Sequence, residues 1–335
     1  MTPVGTTTPA GATPAGATPA ATTTTAVART TAGTKRSTRL AELPLVPAGP
    51  RSGFISGTLG SAKGVWEYRE LLGLLVRREL KSRYKDSVLG FLWSLVRPLA
   101  LLVVYVVAIG QFLGAARGAG AIPEFAIYVY SGLTVWQLFS EIVGAGTGSI
   151  VNNGGLVKKI YLPREVFPLA VIGSALFNFI IQLVILFGAT IISGSTPSPG
   201  RLVWAVAGTG LVLVWAAAFA FALSAINVYL RDVAYIVEII LMFGFWLSPV
   251  VYQWAQVKDS IGSGYLETLF LANPVTLSVL SFHRAFWVAG SDPIKFPQPV
   301  DLGEHMLVSF LVGCVVLWLC QRLFARLQSN FAQEI

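Results

Sequence analysis

The sequence predicts an all-α polytopic membrane protein, on three observations. Of 335 residues, 54% are hydrophobic and only 12% are charged, whereas a soluble domain carries about 25% charged residues. Six apolar runs are long enough to cross a hydrocarbon core of about 30 Å as helices. Lysines and arginines gather at alternate ends of those runs, as fixed orientation in a membrane requires. The formal net charge of +8 is therefore read as orientation and contact with anionic lipid, not as a nucleic-acid surface.

Residues 1–50 are Thr, Ala, Pro and Gly in near-repeats such as GATPAGATPA. Such a segment cannot bury enough apolar surface to offset its ordering entropy, so a disordered cytosolic tail is expected. It has no apolar core behind a basic start, so it does not read as a secretory signal. Residues 51–335 form the membrane domain. An amphipathic helix at about 65–84 opens it: Tyr68, Leu71, Leu72, Leu75, Val76 and Leu80 share one half of a helical wheel, opposite Arg77, Arg78, Lys81 and Lys85. Arg69 and Arg83 interrupt the apolar face. The helix reads as lying at the cytosolic interface, or as a solvated basic helix of topological value only. Its basic cluster places this end of the chain inside the cell.

Six spans are expected, at about 88–113, 125–146, 166–193, 202–229, 234–252 and 305–323. Pro98 is expected to kink the first. Lys158, Lys159 and Arg164 follow the second, Arg231 the fourth, and Arg322 and Arg326 the sixth. All fall on the inner side, which puts both termini in the cytosol. The run from Leu266 to Ala289 is apolar but is broken at Asn273-Pro274, and His283-Arg284 would lie deep in the bilayer. Two short helices dipping back from the outer surface are expected there. Such breaks are tolerated where they are protein-buried or line a wet cavity, so Asn273, Pro274, His283 and Phe286 are outer-gate candidates. Cys314 and Cys320 lie in the last apolar run and read as small buried residues, not as a disulfide or metal pair.

The loop after the second span reads GAGTGSIVNNGGLVKKIYLPREVFPLA. Asn152–Gly155 cannot continue a helix cheaply. Leu156–Leu162 can form a short helix that Pro163 ends. Leu156, Lys158, Lys159, Tyr161, Arg164 and Glu165 could dock in a groove of a soluble partner, or form an ordinary positive-inside loop. Arg231 and Asp232 occupy a second cytosolic loop of similar character, a further docking candidate for the same soluble partner, where an interfacial ion pair of little net energy is expected. Glu141 and Glu238 are carboxylates inside apolar runs, which marks a transport path by default, or else the cytosolic membrane edge. Tyr105, Tyr128, Trp136, Phe139, Phe243 and Trp246 either belong to interfacial belts or line a pore where rings stack on sugars. Arg83 and Arg97 could bind a lipid diphosphate through charge-assisted hydrogen bonds, or snorkel to headgroups. No Gly-Lys dipeptide, HExxH, CxxC or GxSxG occurs. No phosphate loop and no catalytic motif is therefore available.

Three stretches together resemble a known family. RRELKSRYKDSVLGFLWSLVRPL, LVKKIYLPREVFPL and NVYLRDVAYIVEIILMFGFWLSPVVY are similar, in order, to the ABC-2 type permeases that export polysaccharides, the Wzm and TagG group. NPVTLSVLSFHRAFW fits the same pattern, and the resemblance covers about 65–326. It implies six spans per subunit, a homodimer around a glycan channel, and two copies of a separate ATPase subunit that bind ATP and magnesium. No cofactor is implied for this chain. It implies ATPase coupling through the 154–164 segment and a polyprenyl-diphosphate-linked glycan as substrate. That glycan would be of O-antigen, teichoic acid or cell-wall galactan type, the last as in actinobacterial members, crossing the cytoplasmic membrane. An ABC-2 permease for a small drug or lipid is the rival reading, and a membrane glycosyltransferase or its scaffold a third.

Overall fold

The computed structural model describes residues 63–84, 93–117, 122–159, 162–262, 264–299 and 301–335. Every regular element among them is helical. The predicted tail, the 85–92 segment and Tyr161 lie outside the described residues, as do the side chains of Arg83 and Arg97.

Helix α1 (Arg69–Tyr84) follows a helical turn at 63–67. Its Leu71, Leu72, Leu75, Val76 and Leu80 are half-buried, while Arg77, Arg78 and Lys81 are exposed. The predicted face is thus real, except that Tyr68 is exposed. Part of that face packs on protein: Val76 Cγ2 comes within 2.8 Å of where a Cβ on Gly173 would stand. Helix α2 (Trp93–Tyr105) carries Pro98 inside it and continues as a π-helix, Val106–Phe112. It stops at Gly114, whose φ of +80° suits glycine.

Helix α3 (Phe125–Gly148) is followed by the six-residue α4 (Gly154–Lys159). Helices α5 (Val166–Ile192) and α6 (Pro199–Tyr229) follow each other across a short loop. Pro199 sits at the first turn of α6, where its missing N–H costs nothing. Then come α7 (Val233–Trp246), α8 (Trp254–Ile261), α9 (Tyr265–Leu271), α10 (Pro274–Phe286), α11 (Leu302–Leu327) and α12 (Phe331–Glu334). Helix α6 is the hub, packed on α11, α3 and α10. Small residues allow the closest approaches: a Cβ on Gly146 would stand 2.8 Å from Ala220 Cβ.

Among the described residues, three helices are long and apolar enough to cross a membrane: α5, α6 and the 302–330 stretch. The α9–α10 pair, bent by 77° at Ala272–Asn273, makes a fourth at most. Of the other expected spans, α3 has the length but is diluted by Gly, Ser and Thr, and most of it is buried inside the bundle. The apolar Pro98–Phe112 and Val233–Trp246 are shorter helices.

The predicted fifth span, 234–252, is corrected at its far end. Its helix stops at Trp246, and 247–252 is turns and bends, because Pro249 cannot continue a helix. Fourteen residues rise only about 21 Å. The irregular backbone that follows is sealed by protein, as such backbone must be at membrane depth. Ser248 and Val250 are fully buried. The Tyr128 hydroxyl donates to Tyr252 O at 2.7 Å, and Thr276 Oγ1 to Leu247 O at 3.5 Å.

Helix α10 starts at an Asn273 cap whose Oδ1 accepts from Val275 N at 3.0 Å. It is buried along almost its whole length. Its seat on α6 is Gly208. A Cβ there would overlap Ser281 Oγ and stand 3.2 Å from both Phe282 Cδ2 and Ser278 O. Gly208→Val is expected to push α10 off α6 and cost at least about 1–3 kcal/mol. A lowered thermal midpoint of the solubilised protein checks it, and an unchanged midpoint would contradict this packing.

The two cysteines are free, but the expectation of burial is corrected. Cys314 is exposed and Cys320 only half-buried, because α11 turns Leu311, Val315 and Leu319 outward and Cys314 lies beside that stripe.

Candidate functional site

A cavity of about 790 Å³ lies between α2, α3, α5 and α7. One part of its wall is aromatic: Tyr105 from α2, Trp136 from α3, and Phe245 and Trp246 from α7. These rings form a connected set. Tyr105 stacks on Phe245 at 5.6 Å, Trp136 meets Phe245 edge-on at 5.7 Å, and Phe245 meets Trp246 edge-on at 5.4 Å. Gly244 makes room for Trp136, whose Cη2 lies 3.1 Å from a Cβ built on that glycine.

The other part of the wall is polar: Gln137, Ser140 and Glu141 from α3, Asn178 and Gln182 from α5, and Glu238 from α7. Asn178 Nδ2 donates to Glu141 Oε1 at 2.8 Å. Gln182 is 5% exposed, and its Oε1 has no hydrogen-bond partner among the described residues. Asn178 and Gln182 are one turn apart, so both fall on the same face of an otherwise apolar helix. Glu141 and Glu238, almost a hundred positions apart in sequence, thus meet one cavity. Each sits within about 8–12 Å of the end of its helix that faces α4. From Glu141 to Leu133, and from Glu238 to Trp246, the wall extends roughly 12 Å further into the bundle. The lining offers carboxylate and amide groups together with aromatic ring faces. That combination suits hydroxyl-rich, ring-shaped ligands.

Of the six predicted channel aromatics, Tyr105, Trp136 and Trp246 line this cavity. Phe139 instead packs edge-on against Phe219 at 6.2 Å. Phe243 points outward and is 60% exposed. Tyr128 lies in a separate buried layer, stacked on His283 at 3.9 Å. His283 and Phe286 are both buried there, Asn273 caps α10, and Pro274 is its first residue. The sequence reading missed Phe245, Gln137, Ser140, Asn178 and Gln182. Asn178 and Gln182 carried a usable signal: two amides at helical spacing inside a 27-residue apolar run.

The second cluster surrounds α4. Lys158 and Lys159 are exposed and occupy its last turn, where cations are favourable. Leu156 is half-buried and Val157 buried beneath them. The chain's last residues hold this segment. Ile335 occupies the place of a Gly154 Cβ. Phe331 is fully buried, in ring contact with Phe324 at 5.6 Å and Tyr229 at 6.2 Å. The Arg164 guanidinium lies 5.7 Å from the Phe331 ring centroid. Gln328 Nε2 donates to Glu165 Oε1 at 3.4 Å, and the Tyr229 hydroxyl to Leu327 O at 2.8 Å. Arg231 and Asp232 are both exposed in the α6–α7 turn. The ion pair expected between them is absent among the described residues. As neighbours in an exposed turn they are solvated separately.

Comparison with known proteins adds an independent observation. Residues 70–287 match the family described as ABC-2 type transporter. The chain is similar to the O-antigen export system permease protein RfbA of Myxococcus xanthus, 29% identical over 271 residues, covering 81% of this chain and 97% of that protein. It is similar to the protein of the same name from Klebsiella pneumoniae, 25% identical over 268 residues, covering 79% and 94%. It also resembles the capsule polysaccharide export inner-membrane protein CtrC of Neisseria meningitidis serogroup B, 32% identical over 126 residues, covering 35% and 45%.

Proposed function

The chain belongs to the ABC-2 type transporter family, and from that premise we propose that it is the membrane-spanning permease subunit of an ABC transporter exporting a polysaccharide across the cytoplasmic membrane. The observation that carries this reading is the cavity between α2, α3, α5 and α7, with ring faces on one part and Glu141, Asn178 and Gln182 on another. A sugar ring presents an apolar face and hydroxyl edges, and both find partners there. Relatives named for O-antigen and capsule export support the substrate class. The finer reading is a glycan of O-antigen, teichoic acid or galactan type, linked to a polyprenyl diphosphate.

In this reading six segments span the membrane, with both termini cytosolic and α9–α10 dipping from the outer side. The chain works as a homodimer with two copies of an ATPase subunit, where ATP and magnesium bind. The outward apolar face of α7 supports dimerisation, with Tyr235, Ile239, Met242 and Phe243 all more than half exposed. Leu156, Lys158, Lys159, Tyr161, Arg164 and Glu165, with Arg231 and Asp232 of the second loop, would meet the ATPase, and its closure would push on α4 and α1. The partner must then prefer one of two arrangements of the bundle. Arg83 and Arg97 remain proposed contacts for the lipid diphosphate.

The test is ATPase activity of the purified complex with added ligands. Stimulation by a lipid-linked glycan is expected. Stimulation by small drugs alone would overturn the assignment in favour of a drug or lipid permease. Lys158→Glu combined with Lys159→Glu is expected to reduce co-purification of the ATPase subunit about tenfold or more, through like-charge repulsion at the docking face. Unchanged co-purification with unchanged coupling would remove the docking role.

A further inference from the structure

At the end of the bundle away from α4, two arginines stand together without a counter-ion among the described residues. Arg201 is in the first turn of α6, about 42 Å along that helix from Tyr229. Its Nε donates to Ala285 O at 3.3 Å, one Nη to Trp287 O at 2.9 Å, and the other to Ser291 Oγ at 2.7 Å. It thereby satisfies carbonyls that the end of α10 leaves without helical partners. Arg284, beside Ala285 in the last turn of α10, has its guanidinium carbon over the Trp204 ring, 4.0 Å from its centroid. Trp204 is one turn along α6 from Arg201, so the same helix face holds both guanidinium groups.

Three features of this pair are unusual. The two positive charges act against each other. Neither makes an ion pair with a described carboxylate. Arg201 spends its hydrogen bonds on neutral acceptors, whereas Arg284 makes none to a described residue and is held by its ring contact alone. A guanidinium held over an indole by its charge, with no described acceptor on its N–H groups, keeps those donors for a phosphate, which it can bind in a bidentate way. Mutual repulsion in a half-buried setting is relieved by an oxyanion placed between the charges.

We propose that Arg201 and Arg284 form a binding site for the phosphate of a membrane lipid, at the face of the membrane opposite the ATPase. That face follows from the export reading above, while the site itself does not depend on it. Two sources present this chemistry: the headgroup of an anionic phospholipid, and the diphosphate of a lipid carrier arriving with its cargo. Arg284 supplies the free donors. Arg201 supplies charge and ties the end of α10 to α6, so occupation of the site would steady that junction.

The test is native mass spectrometry of the full-length chain in an uncharged detergent. The probes are dioctanoyl phosphatidylglycerol, farnesyl diphosphate and, as a control for apolar adhesion, dioctanoyl phosphatidylcholine. Retention of either anionic probe in preference to phosphatidylcholine is expected. Retention of both identifies a general headgroup site, and of farnesyl diphosphate alone a carrier site. Arg284→Gln should weaken the retained probe about tenfold, the loss of a charge-assisted contact. Arg284→Lys should recover part of it. Should Arg284→Gln fail to fold, Trp204→Leu, which frees the guanidinium from its ring, is expected to weaken the same probe. Equal retention by wild type and these variants would overturn the site. Labelling of Ser195→Cys by a membrane-impermeant thiol reagent reads the face separately: protection in intact cells would refute the export topology, while the binding result would stand.

Discussion

Phe331→Ala is expected to cost about 3–5 kcal/mol of stability, the range for truncating a buried Phe, and to disconnect ATP hydrolysis from transport. The ring is fully buried and is the meeting point of three elements. Phe324 belongs to α11, Tyr229 ends α6, and Arg164 belongs to the loop that leads into α5. Removing it leaves a cavity and frees Ile335 from the notch above Gly154. The proposed docking helix α4 would then lose its backing while keeping its own sequence. Thermal unfolding measures the first effect. ATPase activity in the presence of glycan measures the second: hydrolysis should persist at or above the basal rate with export reduced. A midpoint and an export rate both equal to wild type would show that the C-terminal residues are a passenger.

Asn178→Leu combined with Gln182→Leu is expected to lower export about ten- to a hundredfold without loss of assembly. Each amide offers a hydrogen bond worth about 0.5–1.5 kcal/mol, so together they account for that range. Asn178 holds Glu141 at 2.8 Å, and the Gln182 carbonyl has no partner among the described residues, which leaves it for a passing hydroxyl. Both are buried, so leucine fits the apolar surroundings and the fold should survive. Export per unit of assembled complex is the quantity to measure. Wild-type export by the double variant would exclude this strip from the path.

Which of these features could be read from the sequence has a physical pattern. The long helices were legible because they are continuous in sequence: α5 and α6 begin and end within three residues of the predicted spans. The break at Asn273-Pro274 was legible for the same local reason, since proline and a capping asparagine act on adjacent residues. The early end of α7 at Ser248-Pro249 carried the same kind of signal, but the apolar run through Val250 and Val251 masked it. Those residues are apolar because they are buried under Tyr128 and Gly132, not because they lie in lipid. Hydropathy alone does not separate the two. The helix α3 poses the converse case, a buried element whose small polar residues weaken its membrane signal.

The site was half legible. Glu141, Glu238, Tyr105, Trp136 and Trp246 stood out as residue types, and all five line one cavity. Tyr128 was the same type of residue and belongs elsewhere, because its role is set by Tyr252 and His283, each more than a hundred positions away. The contact of Ile335 with Gly154 is equally non-local. Nothing in the loop Gly154–Arg164 announces that the far end of the chain supports it.

Transfer of a labelled, polyprenyl-diphosphate-linked glycan across proteoliposome membranes is the most direct measurement. Vesicles would hold this chain alone, the ATPase subunit alone, or both. The account predicts ATP-dependent transfer only where both proteins are present, with no hydrolysis by this chain by itself. Transfer or ATP hydrolysis by the isolated chain would contradict it.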